Sequence, residues 1–127
     1  MKDNPSILVV CTQGQNRSKY LAGYLKSLGY KTDYGGVHEN GFNPLAQKQV
    51  VWADIIITVR SSINEKFIDK FDHEGKRVIA LEVHDNPKRY PEHAQKLIEE
   101  ESWHAFQEKY VYSQLRKQIQ KYLPFKK

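Results

Sequence analysis

Short runs of consecutive apolar residues alternate along this chain with stretches where apolar residues return every third or fourth position. Ser6–Val10 (SILVV) is one such run, rich in β-branched residues, as expected of a strand covered on both faces. Tyr20, Leu21, Tyr24, Leu25 and Leu28 then fall at helical spacing, which predicts a helix over Lys19–Leu28 stopped by Gly29. Lys31–Val37 reads as a weaker strand, and its Gly35-Gly36 pair marks a bend or a close backbone approach. Asn43-Pro44, a capping residue before a first-turn proline, predicts a helix from there to about Trp52. Asp54–Val59 (DIIITV) is the clearest strand. Ser62 and Glu65 form a capping-box pattern, and Ile63, Phe67, Ile68 and Phe71 give the following helix an apolar face. Gly75 ends that region, Arg77–Val83 reads as a fourth strand, and His84-Asp85-Asn86-Pro87 as a loop.

From Pro91 the chain reads as helical, first through Leu97-Ile98 and then from Ser102 to about Leu123. Trp103, Phe106, Tyr110, Leu115, Ile119 and Tyr122 form a stripe expected to pack in the core. The order β-α-β-α-β-α-β-α predicts one α/β domain over residues 1–127, a parallel sheet with helices on both faces.

Composition narrows this picture in three ways. The 127 residues, 39% hydrophobic and 28% charged, suit one soluble domain with its own core. No apolar run approaches membrane-spanning length, and MKDNPS passes into the first strand without a leader-like apolar segment; a cytoplasmic location is expected. The single cysteine, Cys11, excludes an internal disulfide and a cysteine-based metal site, and the five histidines show no metal-ligand spacing. No cofactor is implied. The formal net charge of +5 suits an anionic substrate. Much of the excess (Arg116, Lys117, Lys121, Lys126, Lys127) lies on the last helix and tail, where it reads as a solvated face, so nucleic acid is not the expected partner. No oligomeric state follows from the sequence.

The chemistry concentrates where the first strand meets the first helix. There the chain reads Cys11-Thr12-Gln13-Gly14-Gln15-Asn16-Arg17-Ser18. In a parallel α/β sheet such a loop lies at the carboxyl edge, where ligands bind. Its N–H groups can curl around an anion, Gly14 permits unusual dihedrals, and the helix N-terminus adds positive potential. Arg17 offers a planar fork for two phosphate oxygens, and Ser18 can donate to the sulfur of Cys11. A helix N-terminus also favours the thiolate, the form that attacks. Thr12, Gln13, Gly14, Gln15, Asn16 and Arg17 are therefore the expected phosphate cradle, with Cys11 as nucleophile.

The loop fits the C-x5-R-[ST] signature of cysteine-dependent protein tyrosine phosphatases. With nothing but a strand before Cys11, the chain resembles the low-molecular-weight type, over approximately residues 6 to 123. That resemblance implies a three-layer sandwich of the phosphotyrosine-phosphatase-I kind, a four-stranded parallel sheet in the order 2-1-3-4. It also implies a late Asp-Pro loop bearing the general acid, here Asp85-Asn86-Pro87. Asp85 is reached from the residues as well, because it follows the fourth strand at the same sheet edge, whereas Glu82 is expected within that strand.

The chain departs from the family pattern at several places. The family has Gly two and Asn three residues after the cysteine, where Gln13 and Gly14 stand here. The Ser that braces that Asn is also missing, its stretch being Tyr34-Gly35-Gly36, so Asn16 or Gln15 is expected to brace the loop. A second loop cysteine is replaced by Asn16, so peroxide should inactivate without disulfide protection. Arg60 is expected at the rim, and Tyr90 and Trp52 are candidate walls for a phosphotyrosine ring, although Trp52 also reads as core.

The expected activity is metal-free hydrolysis of a phosphate monoester, phosphotyrosine in proteins first, through a phosphocysteine at Cys11, with Arg17, Ser18 and Asp85 assisting. The expected partner is a phosphorylated protein or a small phosphomonoester. Alternatives are a phosphatase acting on a nucleotide or RNA phosphate and a non-catalytic phosphate-binding module. A sugar-phosphotransferase-type phosphocarrier would not need Arg17 and Asp85, and a thioredoxin-coupled arsenate reductase would need further cysteines.

Overall fold

The computed structural model describes residues 4–126; the first three residues and Lys127, which enter the leader and basic-tail readings, lie outside them. Four strands, β1 (Ser6–Cys11), β2 (Lys31–Gly36), β3 (Ile55–Thr58) and β4 (Arg77–Ala80), form one sheet. All pairings are parallel and the order is β2-β1-β3-β4, the 2-1-3-4 arrangement expected. The unbroken apolar runs take the two central places: Ile7 to Val10 are fully buried in β1, and Ile55, Ile56 and Ile57 nearly so in β3. That is what a strand covered on both faces requires.

The helices are α1 (Arg17–Ser27), α2 (Gln47–Trp52), α3 (Ser61–Lys70), α4 (Glu92–Glu100), α5 (Trp103–Phe106) and α6 (Ser113–Gln120), with a 3-10 turn at Pro87–Arg89 and a π-helical turn at Gln107–Tyr112 between α5 and α6. α1 buries Leu21, Ala22 and Leu25 and packs with the π-turn and α6 on one face of the sheet. Right-handed crossovers running the other way place α2 and α3 on the opposite face. At the C-terminus Phe125 is buried and packs edge-on to Tyr30, whose hydroxyl accepts from the Phe125 N–H at 2.8 Å.

Several boundaries differ from the sequence reading. No helix starts at Asn43-Pro44: Pro44 pairs with Gly36 in an isolated bridge, and Asn43 gives its carbonyl to the Gly36 N–H. α2 begins later, where Gln49 folds back to accept from the Ala46 N–H. Ser62 does not cap α3, because the helix has already started at Ser61. Ile68 is exposed, so the apolar face of α3 narrows to Ile63 and Phe67. β4 ends at Ala80, which leaves Glu82 in the loop beyond it. Trp52 and Trp103 are both exposed, not core, since each sits on the outward side of a short helix.

Strand order sets where a ligand can sit. The chain leaves β1 toward β2 and leaves β3 toward β4, so adjacent strands diverge and open a crevice at their carboxyl ends. Cys11 closes β1 at that edge, Arg60 follows β3, and Asp85 follows β4.

Candidate active site

The loop after β1 is held first by its own backbone. The carbonyls of Cys11, Thr12 and Gln13 accept from the N–H groups of Val37, His38 and Asn43 at 2.9, 3.0 and 3.0 Å. With these carbonyls turned toward the segment after β2, the face opposite them is left to N–H groups. Among the described residues the Gln13, Gln15, Asn16 and Arg17 N–H groups have no protein partner. Such a concavity of amides at a helix start binds anions.

Glycine makes the close approach possible. Gly14 adopts φ +72°, and a Cβ there would lie 2.2 Å from the Asn43 carbonyl and 2.6 Å from the Gly36 nitrogen. A Cβ on Gly36 would meet the Gln13 carbon and Gly14 nitrogen at 2.5 Å. The Gly35-Gly36 pair thus serves as the bed on which the cradle lies.

A second brace comes from the far end of the chain. The Asn16 amide donates to Gln107 Oε1 at 2.6 Å and accepts from the Tyr112 hydroxyl at 2.6 Å. Gln107 and Tyr112 are the first and last residues of the π-turn. The wider π-helical winding brings residues five apart toward one side, which an α-helix would splay. Asn16 is one of the two residues expected to brace the loop, but its partners are not visible in the sequence pattern. Gln107 is only 2% exposed, and a glutamine buried within an aromatic-rich helix was the one available signal.

Around this loop the expected residues converge on one cavity of about 360 Å³, lined by Cys11, Thr12, Gln13, Gln15, Asn16, Arg17, Arg60 and Asp85. Cys11 is 2% exposed, with its sulfur 3.0 Å from Ser18 Oγ and accepting from the Gly14 N–H at 3.2 Å. Gly14 therefore serves the sulfur and is not part of the lining. Arg17 is 5% exposed; one guanidinium nitrogen donates to the Val83 carbonyl at 2.8 Å and the other lies 3.6 Å from Asp85 Oδ2. Arg17 is thereby aimed from both sides, and Asp85 stands at the mouth with its side chain 44% exposed.

The loop carrying Asp85 has its own supports. Asn86 caps the 3-10 turn by accepting from the Lys88 N–H at 3.0 Å. The Tyr90 hydroxyl donates to the His84 carbonyl. Burial raises the Tyr90 phenol above its usual range, more than the nearby Arg17 lowers it, so that proton stays on. Tyr90 packs against Phe106 and Tyr110 and so braces the Asp85 loop instead of lining the cavity. Trp52 lies beside Asp33, Lys48 and Gln49, away from the cradle.

Arg60 enters as a second cation. Its Nε is buried without a hydrogen-bond partner among the described residues and lies 3.6 Å from Glu82 Oε2. Burial pushes the Glu82 carboxyl up, but the Ser61 N–H, His84 and Arg60 together outweigh it and the net shift is downward. His84 lies 3.1 Å from the same carboxylate, yet burial and then the charges of Arg60 and Arg89 hold its imidazole below the ordinary histidine range. Among the described residues no group of three or more His, Cys, Asp or Glu side chains is arranged to hold a metal ion.

No protein-family model matches the chain, and no curated protein sequence matches it. Solved structures do. A low-molecular-weight phosphotyrosine phosphatase from Vibrio cholerae O395 superposes with a TM-score of 0.62 at 15% identity, covering 95% of this chain and 98% of its own. The arginine phosphatase YwlE, in a Cys-to-Ser form with a phosphorylated active-site serine, gives 0.55 at 16% identity over 91% of this chain and 96% of its own. A thioredoxin-dependent arsenate reductase from Corynebacterium glutamicum gives 0.54 at 15% identity over 93% of this chain and 61% of its own. The fold is thus that of the low-molecular-weight protein tyrosine phosphatases, a fold shared by a phosphotyrosine phosphatase, an arginine phosphatase and an arsenate reductase.

Proposed function

We propose that this chain is a single-domain cysteine-dependent phosphatase, of the low-molecular-weight protein tyrosine phosphatase kind, acting on phosphate monoesters and foremost on phosphotyrosine in proteins of the cytoplasm. The observation that carries this reading is the meeting of Cys11, Arg17 and Asp85 around one cavity that can hold a phosphate. Each belongs to a different structural element, and their chemistries are complementary.

In the reaction the Cys11 thiolate attacks phosphorus in line with the departing oxygen. Arg17 and the loop N–H groups hold the equatorial oxygens and take up their charge. Asp85 gives its proton to the leaving oxygen as the P–O bond breaks, so the product departs as a neutral phenol or alcohol. A phosphocysteine remains. The Asp85 carboxylate then takes a proton from water, the water oxygen bonds to phosphorus, and the P–S bond breaks. Inorganic phosphate leaves, and the Ser18 hydroxyl donates to the restored thiolate. The positive side chains of Arg17 and Arg60 at the cavity support an anionic substrate over a neutral one.

The test is hydrolysis of para-nitrophenyl phosphate. Cys11→Ser is expected to abolish turnover while orthovanadate still binds. Asp85→Asn is expected to lower kcat by about 100-fold or more. Undiminished turnover by Cys11→Ser would sink the proposal. Phosphoarginine, offered beside a phosphotyrosine peptide, decides between P–O and P–N substrates.

A further inference from the structure

The geometry points to a leaving-group groove that reads the peptide residues beside the phosphorylated side chain. This rests on the phosphatase reading and extends it to specificity. Next to the cradle lies a second depression of about 830 Å³. The two are continuous, because Gln15, Asn16 and Asp85 line both. Asp85 must reach the oxygen that leaves, so whatever that oxygen carries passes Asp85 on its way out. The groove begins there.

Its walls are aromatic and already ordered. The Tyr20 and Tyr112 rings stack with centroids 4.0 Å apart and planes 1° from parallel, and Tyr24 continues the row at 6.5 Å and 11°. The stack is anchored by the Tyr112 hydroxyl on Asn16 and by Arg116 on the Tyr20 hydroxyl. Trp103 lines the same groove and is 51% exposed, a large aromatic surface left in water. Such preformed amphipathic walls bind with little loss of side-chain entropy.

Gly23 is the decisive residue. It sits inside α1, where glycine costs about 1 kcal/mol relative to alanine. Nothing in its surroundings demands that cost: a Cβ there meets no atom within 4 Å, and its φ is not in the left-handed region. What its smallness provides is open space in the groove it lines.

The occupant is a peptide segment with an aromatic or aliphatic residue adjacent to the phosphorylated one. A polynucleotide would call for a row of cations along the groove. Lys19 is the one cationic side chain among the residues lining this groove, against four aromatic ones.

The experiment compares two phosphotyrosine peptides, one with Phe on both sides of the phosphotyrosine and one with Gly, by phosphate release. The native chain is expected to favour the Phe-flanked peptide by about tenfold in kcat/KM. Gly23→Gln, which fills the groove, and Trp103→Ala, which removes a wall at an exposed position, are each expected to cut that preference below about threefold. A preference that survives both variants, or is absent from the native chain, overturns the groove. A phosphorylated oligonucleotide whose turnover falls in Gly23→Gln more than that of the peptide overturns the choice of occupant. Para-nitrophenyl phosphate separates the failures: without its hydrolysis both readings fall, and with hydrolysis but no peptide preference the groove alone falls.

Discussion

The brace on Asn16 can be broken cleanly. Asn16→Ala removes two hydrogen bonds of 2.6 Å and strips Gln107 Oε1, on a residue 2% exposed, of its partner. Two such bonds are worth about 1 kcal/mol each, and an orphaned buried acceptor about 1–3 kcal/mol more, so the loss should be about 3–5 kcal/mol. At roughly 3–5 °C per kcal/mol for a chain of this size, thermal unfolding should fall by roughly 9–25 °C. Activity should fall as well, because Asn16 lies between the cradle and α1. A displacement near 1 Å in such a loop costs roughly 10- to 100-fold in kcat/KM. Tyr112→Phe removes only the hydroxyl and keeps the stack on Tyr20, so a double-mutant cycle isolates the pair, with an expected coupling of about 0.5–3 kcal/mol. A melting temperature within 2 °C of the native value and kcat/KM within about twofold would refute the idea that the C-terminal helix positions this loop.

Gly14→Ala and Gly75→Ala form a matched pair. Both positions have positive φ, +72° and +79°, but only at Gly14 does a Cβ strike backbone; Gly75→Ala should cost about 1–2 kcal/mol of strain, and Gly14→Ala well above about 3 kcal/mol, read by chemical denaturation. His84, held below its ordinary range by burial first and by Arg60 and Arg89 next, takes up its proton less readily in the folded chain than in the unfolded one. Its contribution is therefore present above the unfolded pKa of about 6.5 and lost as pH falls below it, so His84→Gln should flatten the decline in melting temperature between about pH 7 and 5. Peroxide should inactivate through Cys11, and with one cysteine in the chain no internal disulfide can intercept the sulfenic acid. Recovery by dithiothreitol should accordingly fade with exposure as the sulfinic acid accumulates, and full rescue after prolonged treatment would contradict this.

The sheet was readable because strand identity here is a matter of bulk hydrophobicity. Ile7–Val10 and Ile55–Ile57 are unbroken apolar runs, and such runs belong in the centre of a parallel sheet whatever surrounds them. The cradle was readable for a related reason: Cys11, Arg17 and Ser18 are local in sequence, and their spacing encodes the loop. Gly35-Gly36 could be read as a close approach without revealing what approaches. What lay beyond reach depends on distant partners. The Asn43-Pro44 cap signal is overridden by the bridge from Pro44 to Gly36. The Gln107 and Tyr112 brace is separated from Asn16 by 91 and 96 positions and rests on a π-turn, whose five-residue step no α-helical periodicity reveals. Trp103 fits the helical stripe but lies at the start of α5, where the chain faces the groove.

The brace also orders events in time. Tyr112 is translated 96 positions after Asn16. At about 5–20 residues per second the ribosome needs roughly 5–20 s to cover that interval. Throughout it the loop exists with Cys11 made and its clamp unmade. The loop is therefore synthesised before the helical segment that holds it in place.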